Sequence, residues 1–228
     1  MKRFFDDLKK EEMRQRKVKD LEEKLLFHEA YMVTEPSLYR ERWKEFFSGV
    51  DSISLEIGCG KGRFITSLGQ EKPDCGFVGV EGHQTVALRA MEKIGQMGLS
   101  NVAVVPQYVR DVRDWFGQGE LAAIYLNFSD PWPKDRHEKR RLTSAGFLEG
   151  YRHVLEKDGF LQMKTDNDGL FQYSLDSLAQ NGFEIVESSW DYHGSSLDQN
   201  RMRTEYEEKF ANRGLQIHYV KAKWKVLV

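Results

Sequence analysis

Cysteine is scarce in this sequence, and no apolar run is long enough to span a membrane. The 228 residues include two cysteines, Cys59 and Cys75, which lack the spacing of metal ligands. We therefore expect no disulfide framework, and we expect both thiols to be reduced. No stretch reaches the roughly 20 apolar residues of a bilayer span, and the charged amino terminus lacks the apolar segment of a signal peptide. These absences argue against membrane and secreted classes and predict a cytoplasmic protein.

The sequence also lacks a strong net charge. The 34 Lys and Arg residues nearly balance the 36 Asp and Glu residues, which leaves a formal charge of −2. Any contact with nucleic acid must therefore come from a local basic patch. The six histidines show no ligand spacing, so we expect no metal. Hydrophobic residues make up 40% of the chain, which is typical of a folded protein that buries one core.

Strand-like and helix-like segments alternate from residue 52 onward. The strand-like runs lie near Leu55, Val78, Val104, Ile124 and Leu161, and helical patterns cover residues 84–97 and 143–155. This alternation predicts an α/β fold, a mostly parallel seven-stranded sheet with helices on both faces. Two late strand-like runs, residues 184–187 and 216–220, predict a hairpin with a reversed last strand. We expect residues 1–50 to form a helical leader of the same unit, ahead of a domain of residues 51–228.

A glycine-rich turn follows the first strand-like run, residues 53–57. Its sequence is Gly58-Cys59-Gly60-Lys61-Gly62, and a helical pattern begins directly after it. Glycines at such a turn let the backbone approach a ligand closely. The second strand-like run ends at Glu81, where an acid is placed to accept both hydroxyls of a ribose. Together these features favour a nucleoside cofactor without a pyrophosphate, most simply S-adenosylmethionine, over a turn kept only for packing.

The most informative stretch of the sequence is residues 127–134, Asn-Phe-Ser-Asp-Pro-Trp-Pro-Lys, which follows an apolar strand-like run. Proline restricts the backbone around itself, so Asp130 and Trp132 are expected on a stiff loop at the carboxyl end of a strand. A basic run comes next: Lys134, Arg136, His137, Lys139, Arg140 and Arg141. An acid beside a flat ring and concentrated positive charge suits a nucleic-acid base whose phosphates are held nearby.

Two further polar motifs have a structural and a functional interpretation of similar weight. Residues 164–167, Lys-Thr-Asp-Asn, end the fifth strand-like run. Asp166 could bind substrate there, and Asp166 or Asn167 could cap the following helix. Residues 204–207, Thr-Glu-Tyr-Glu, follow an Arg-rich loop and read equally well as a surface helix capped by Thr204.

These motifs resemble the bacterial tRNA (guanine-N7)-methyltransferases, a family with a Rossmann-like class I methyltransferase fold. The similarity covers nearly the whole chain, from about residue 27 to residue 224. Its most specific stretches are residues 56–62, 127–141, 164–167 and 204–207. The resemblance implies transfer of a methyl group from S-adenosyl-L-methionine to N7 of guanine, at position 46 in the variable loop of tRNA. It implies tRNA as the partner, a cytoplasmic location, and a monomer or homodimer.

The resemblance also implies roles for individual residues. Asp130 is the proposed catalytic residue, and cofactor contacts are implied at Glu56, Gly58, Gly60, Glu81 and Asp130. Guanosine or tRNA contacts are implied at Lys134, Asp166, Thr204, Glu205, Tyr206 and Glu207. One position departs from the family, which usually has Asp or Asn after the third strand to bind the adenine edge. Here Tyr108 stands in that place, where it could cover the adenine ring, and Asp111 is the nearest acid in sequence.

Two alternatives stay open on the sequence. A related S-adenosylmethionine enzyme could methylate an exocyclic amine of another RNA base, although such enzymes carry two prolines before the aromatic and Asp130-Pro131-Trp132 has one. A non-catalytic RNA-binding module could retain a vestigial cofactor fold, although the intact Glu56, Glu81 and glycine turn argue against it. Cofactor binding separates the second alternative from the enzymes.

Overall fold

The computed structural model describes residues 18–198, 207 and 216–225. Seven strands form its central sheet: β1 (Ser52–Ile57), β2 (Cys75–Val80), β3 (Val102–Val105), β4 (Leu121–Asn127), β5 (Leu155–Thr165), β6 (Phe183–Ser189) and β7 (His218–Trp224). The spatial order is β3-β2-β1-β4-β5-β7-β6. Strands β1 to β5 pair in parallel, whereas β7 runs antiparallel to both β5 and β6. The predicted seven-stranded sheet with a reversed last strand is therefore confirmed.

Six α-helices in the described ranges connect or flank these strands: α1 (Leu21–Phe27), α2 (Trp43–Phe46), α3 (Arg63–Glu71), α4 (Gln84–Met97), α5 (Ala145–Val154) and α6 (Asp168–Gln180). Helix α4 has the predicted bounds, and α5 begins two residues later than its pattern suggested. Short 3₁₀ helices cover Glu29–Tyr31, Pro36–Tyr39, Val112–Asp114 and Asp135–Arg140. In this part of the chain, no helix combines the length and apolar character needed to cross a membrane.

The sheet separates two hydrophobic cores, because successive strand residues point to opposite faces. On one face Leu55 and Ile124 pack with the helices α5 and α6. On the other face Phe77 and Tyr125 pack with α3 and α4, for example against Phe64. Both faces of the sheet are thus covered by helices, as the alternation of segments predicted.

The Glu120 carboxylate and the Trp43 side chain help to fasten the described part of the leader to the main core. Glu120 accepts hydrogen bonds from the backbone N–H groups of Glu41 (2.9 Å), Trp43 (3.1 Å) and Gly117 (2.7 Å). The Trp43 ring is fully buried, and its Nε1 donates to the Trp115 carbonyl at 2.9 Å. These contacts tie the leader to the segment between β3 and β4, while the domain boundary near residue 50 stays a prediction.

Candidate functional site

The predicted site residues follow parallel strands that end at one edge of the sheet. Glu56 is the penultimate residue of β1, Glu81 follows β2, Tyr108 follows β3, Asp130 follows β4 and Asp166 follows β5. Since the carboxyl ends of adjacent parallel strands lie side by side, these five side chains share that edge. A crevice at such an edge is the usual ligand position in α/β sheets.

The glycine turn after β1 folds back onto the end of β2. The backbone N–H groups of Gly58 and Cys59 both donate to the Val80 carbonyl, at 2.7 and 3.0 Å. Gly58 and Gly60 have positive φ angles of 79° and 56°, which residues with a Cβ adopt rarely. A Cβ placed on either of these two glycines would meet no heavy atom within 4 Å. The turn therefore leaves space above its backbone for a ligand.

The third glycine of the turn shares the positive φ, 79°, and has a further reason to lack a side chain. A Cβ on Gly62 would lie 2.7 Å from the Ala90 Cβ of helix α4. Close packing between the start of α3 and α4 therefore requires glycine here. The hydroxyl of Thr66 donates to the Gly62 carbonyl at 2.8 Å and holds this first turn of α3 in place.

Glu81 joins the end of β2 to the glycine turn. Its Oε2 accepts the Gly60 N–H at 3.2 Å, and its Oε1 accepts the His83 N–H at 2.9 Å. These bonds fix the orientation of the carboxylate. Each carboxylate oxygen has two lone pairs, so the bonds leave acceptor capacity for the two hydroxyls of a ribose.

Glu56 is buried beneath the glycine turn, with 2% of its surface exposed. Its Oε1 accepts a hydrogen bond from Asn127 Nδ2 at 2.9 Å. Its Oε2, like the Oδ1 of Asn127, has no hydrogen-bond partner among the described residues. Burial raises the pKa of Glu56 to about 8; the Asn127 hydrogen bond opposes this rise, and the nearby charge of Glu81 adds to it.

Tyr108 forms an exposed aromatic wall beside Glu81. Its ring lies so close over Gly82 that a Cβ there would collide with it. The hydroxyl is 3.1 Å from His83 Nε2. Partial burial, and then the negative charges of Glu81 and Asp130, raise the pKa of Tyr108. The ring therefore lies near both carboxylates, and 67% of its surface is free for contact.

Asp111 is engaged elsewhere. Its Oδ1 accepts the Arg113 N–H at 2.9 Å and so caps the 3₁₀ helix of Val112–Asp114. Its Oδ2 pairs with Arg113 Nη2 at 2.7 Å, and the hydrogen bonds from Arg113 hold the pKa of Asp111 below its usual range. Of the two residues considered for the adenine edge, Tyr108 is the one whose surface faces outward.

The loop that carries Asp130 has an unusual backbone. Phe128 and Trp132, on either side of Asp130, have φ angles of 53° and 40°, although neither is glycine. Such conformations cost of order 1–3 kcal/mol each and concentrate at functional sites. The Phe128 N–H donates to the Lys164 carbonyl at 2.8 Å, which anchors the loop to β5. Asp130 is thus held on the solvent side of a constrained loop.

The basic run folds back over Trp132. The Arg140 guanidinium lies 4.9 Å from the centre of the Trp132 ring, and the His137 ring meets it edge-on at 5.7 Å. Arg141 donates to the Trp132 carbonyl through Nε and Nη2, at 3.3 and 3.1 Å. Lys134 lies directly before the 3₁₀ helix Asp135–Arg140 and is exposed. The run therefore forms a basic surface directly beside Asp130.

A buried ion pair closes the site at the end of β5. Lys164, 3% exposed, pairs with the fully buried Glu207 at 2.9 Å, and its ammonium lies 4.5 Å from the centre of the Tyr192 ring. Glu207 is the described member of the motif 204–207; Thr204, Glu205 and Tyr206 lie outside the described residues. The predicted substrate contact of Glu207 stays a prediction, and the structure places its carboxylate against Lys164.

The helix-cap interpretation of residues 164–167 is correct for one of them. Asn167 Oδ1 accepts the Leu170 N–H at 2.8 Å and caps helix α6. Asp166, half-buried, precedes it at the site edge, and its substrate contact stays a prediction. Sequence reasoning did not foresee the pairing of Glu56 with Asn127. The signal in the sequence was Asn127, a polar residue at the end of the otherwise apolar strand β4.

In the described ranges, no group of three or more His, Cys, Asp or Glu side chains is arranged to hold a metal ion. The residues present fit a cationic nucleoside ligand instead. Glu56 and Asn127 each have a buried oxygen without a hydrogen-bond partner among the described residues, and a Cβ on Gly58 or Gly60 would meet no heavy atom within 4 Å. Two further acidic residues, Glu81 and Asp130, lie on the same sheet edge.

Comparison with known proteins extends this picture. A family model described as "Putative methyltransferase" matches residues 51–220. The tRNA (guanine-N(7)-)-methyltransferase of Geobacillus kaustophilus is 43% identical over 88% of this chain and 92% of its own length. That of Streptococcus thermophilus is 42% identical over 93% of this chain and 100% of its own length.

Solved structures support the fold at much lower identity. An antibiotic-related methyltransferase is 15% identical, with a TM-score of 0.63 over 81% of this chain and 94% of its own. A SAM-dependent methyltransferase from Aquifex aeolicus is 14% identical, with a TM-score of 0.52 over 90% of this chain and 98% of its own. Both likenesses concern the arrangement of the sheet and its helices.

Proposed function

Because the chain belongs to the tRNA (guanine-N(7)-)-methyltransferase family, we propose that it methylates N7 of guanine in tRNA. The proposed base is guanine 46 of the variable loop, and the proposed methyl donor is S-adenosyl-L-methionine. The observation that carries the proposal is the convergence of the glycine turn, Glu81 and Asp130 at one sheet edge. A cytoplasmic location and a monomeric or homodimeric state belong to the same proposal.

The proposed cofactor residues contact different parts of S-adenosylmethionine. Glu81 accepts hydrogen bonds from the two ribose hydroxyls. Gly58 and Gly60 let the backbone approach the amino-acid part of the cofactor. Tyr108 covers the adenine with its exposed ring, in place of the acid usual in the family. Glu56 would supply negative charge once the cofactor is bound. When bound, S-adenosylmethionine supplies a methyl group activated by a sulfonium.

The chemistry of guanine N7 defines what the protein must contribute. N7 carries an in-plane lone pair and no hydrogen, so its methylation needs no general base. The site must hold N7 in line with the donor and accommodate positive charge on the ring. Alignment alone can contribute up to roughly 7–11 kcal/mol where the geometry is ideal.

Asp130 is proposed to orient the guanine and to stabilise its developing charge. A carboxylate can accept hydrogen bonds from the N1–H and the exocyclic amino group of the base. These bonds strengthen as the ring becomes cationic, so they favour the transition state over the ground state. The positive φ angles of Phe128 and Trp132 hold Asp130 outside the strand, where an extruded base can reach it.

The tRNA is proposed to bind through the basic run. Lys134, Arg136, Lys139 and Arg140 are exposed beside Asp130, and phosphate contacts from such residues supply affinity without reading sequence. Further base or tRNA contacts are proposed for Asp166 and for residues 204–207. The net charge of −2 makes this local patch the natural tRNA surface.

Mapping the methylated base tests the proposal. Unmodified tRNA incubated with S-adenosylmethionine and the protein should gain one 7-methylguanosine, at position 46. Methylation of another base would favour the alternative activity, and cofactor binding without any methylation would favour the binding module. Asp130→Ala should lose most methyl transfer while its cofactor binding falls less, and a near wild-type rate in this variant would refute the role of Asp130.

A further inference from the structure

The carboxyl group of Glu56 is poorly stabilised as an anion. It is 2% exposed and accepts one side-chain hydrogen bond, from Asn127 on the neighbouring strand β4. One oxygen of each residue, Glu56 Oε2 and Asn127 Oδ1, is buried without a hydrogen-bond partner in the described part of the chain. A buried carboxylate with an unsatisfied oxygen is costly, and such groups become neutral rather than remain charged.

The groups that surround Glu56 do not compensate its charge. Glu81, at the end of β2, repels it. Burial, and then the nearby charge of Glu56, raise the pKa values of Cys59 in the glycine turn and Tyr125 of β4. From helix α3 the backbone N–H of Ile65 gives a small favourable contribution. The surroundings of Glu56 therefore favour its neutral form before a cation enters the site.

We propose that Glu56 is protonated in the free protein and releases this proton to solvent when the cationic cofactor binds, and that Asn127 is the positioning residue for this ionisation. The inference rests on the proposed function, because S-adenosylmethionine is the cation. This ligand carries a sulfonium, an ammonium and one carboxylate, so it adds one net positive charge above Glu56. The breaking O–H bond belongs to Glu56, and the buffer takes the proton.

The direction of the linkage follows from the environment of Glu56. Burial raises the pKa of Glu56 from 4.5 to about 8 in the free protein, so most molecules carry the proton at pH 7. If the bound state is fully ionised, roughly 0.9 proton leaves per cofactor at pH 7 and roughly 0.1 at pH 9. Cofactor affinity should then rise with pH by up to about tenfold per pH unit below pH 8.

Asn127 acts through Glu56 in this scheme. Its Nδ2–H donates to the carboxyl group and favours the ionised form, which lowers the pKa of Glu56. Asn127→Leu keeps a similar side-chain volume but removes the donor. The proton-release curve of this variant should move to higher pH, and its cofactor affinity at pH 7 should fall. A purely structural role of Asn127 would lower stability without moving the curve.

Calorimetry provides a readout that is independent of catalysis. S-adenosylmethionine is titrated into the protein at pH 6.5, 7, 8 and 9, each time in two buffers of different ionisation enthalpy. The difference in heat gives the number of protons released. The same titration is done with Glu56→Gln, which lacks this carboxyl group. The ammonium of the ligand titrates in both proteins, so the difference in proton release between them reports Glu56.

Wild type should release roughly 0.9 proton more than Glu56→Gln at pH 7, and the gap should nearly close at pH 9. Glu149→Gln, an exposed carboxylate on α5, should match wild type. If Glu56→Gln binds too weakly, the infrared band of a protonated carboxyl group should disappear when wild type binds cofactor. If wild type and Glu56→Gln release equal numbers of protons, or if the infrared band persists, the inference is wrong and the proposed function stands. If wild type does not bind S-adenosylmethionine, the proposed function is wrong as well.

Discussion

Glu81→Ala should weaken cofactor binding strongly while leaving catalysis at saturation largely intact. The carboxylate is oriented by the N–H groups of Gly60 and His83, at 3.2 and 2.9 Å, and is proposed to accept two ribose hydroxyls. Hydrogen bonds to a charged group contribute about 1.5–3 kcal/mol each. Two such bonds correspond to about 3–6 kcal/mol before water compensates, or about two to four orders of magnitude in Kd.

Isothermal titration of S-adenosylmethionine measures this loss directly, and tRNA methylation at rising cofactor concentration measures the recovery of kcat. Glu81→Gln should have an intermediate Kd, because an amide retains one acceptor but places N–H donors near the N–H of Gly60. Glu71→Gln, an exposed acid on α3, is the matched control. An unchanged Kd for Glu81→Ala would remove Glu81 from the ribose site and refute this reasoning.

Neutralising Arg136, Lys139 and Arg140 together to alanine should raise the KM for tRNA and reduce the slope of log affinity against log salt, by about 0.9 for each duplex phosphate that the variant no longer neutralises. Cofactor affinity should not change, and a wild-type salt slope would exclude this surface. Lys164→Met leaves the buried Glu207 carboxylate without the Lys164 cation and should reduce the free energy of unfolding by about 3–5 kcal/mol. Urea denaturation measures this loss. The double variant with Lys164→Met and Glu207→Leu should recover part of the stability. If the free energy of unfolding of Lys164→Met changes by less than about 1 kcal/mol, the prediction of a buried ion pair is contradicted.

The parallel sheet could be predicted because its signal is local. Each strand is a short apolar run, and each intervening helix has an apolar period of its own. The glycine turn and Glu81 could also be located, since the end of a parallel strand in sequence is the edge of the sheet in space. Their outward position does not depend on the details of packing.

The strain around Asp130 could not be predicted from composition. Positive φ is usually inferred from glycine, whereas here Phe128 and Trp132 adopt it. Such conformations persist only where surrounding contacts hold them. The hydrogen bonds of Arg141 to the Trp132 carbonyl and of Phe128 to the Lys164 carbonyl are such contacts. The second of them joins residues that are distant in sequence.

The sequence by itself determined the order of strands and helices, the site edge and the candidate acids, because these follow from local apolar patterning and from where strands end. Only the tertiary structure decided how the acids are used. It paired Glu56 with Asn127, 71 positions away, and buried Glu207 against Lys164, 43 positions away. It also left Tyr108 exposed while Asp111 caps a helix. The physical reason is that ionisation and hydrogen bonding depend on burial and on neighbours in space, which no local pattern records.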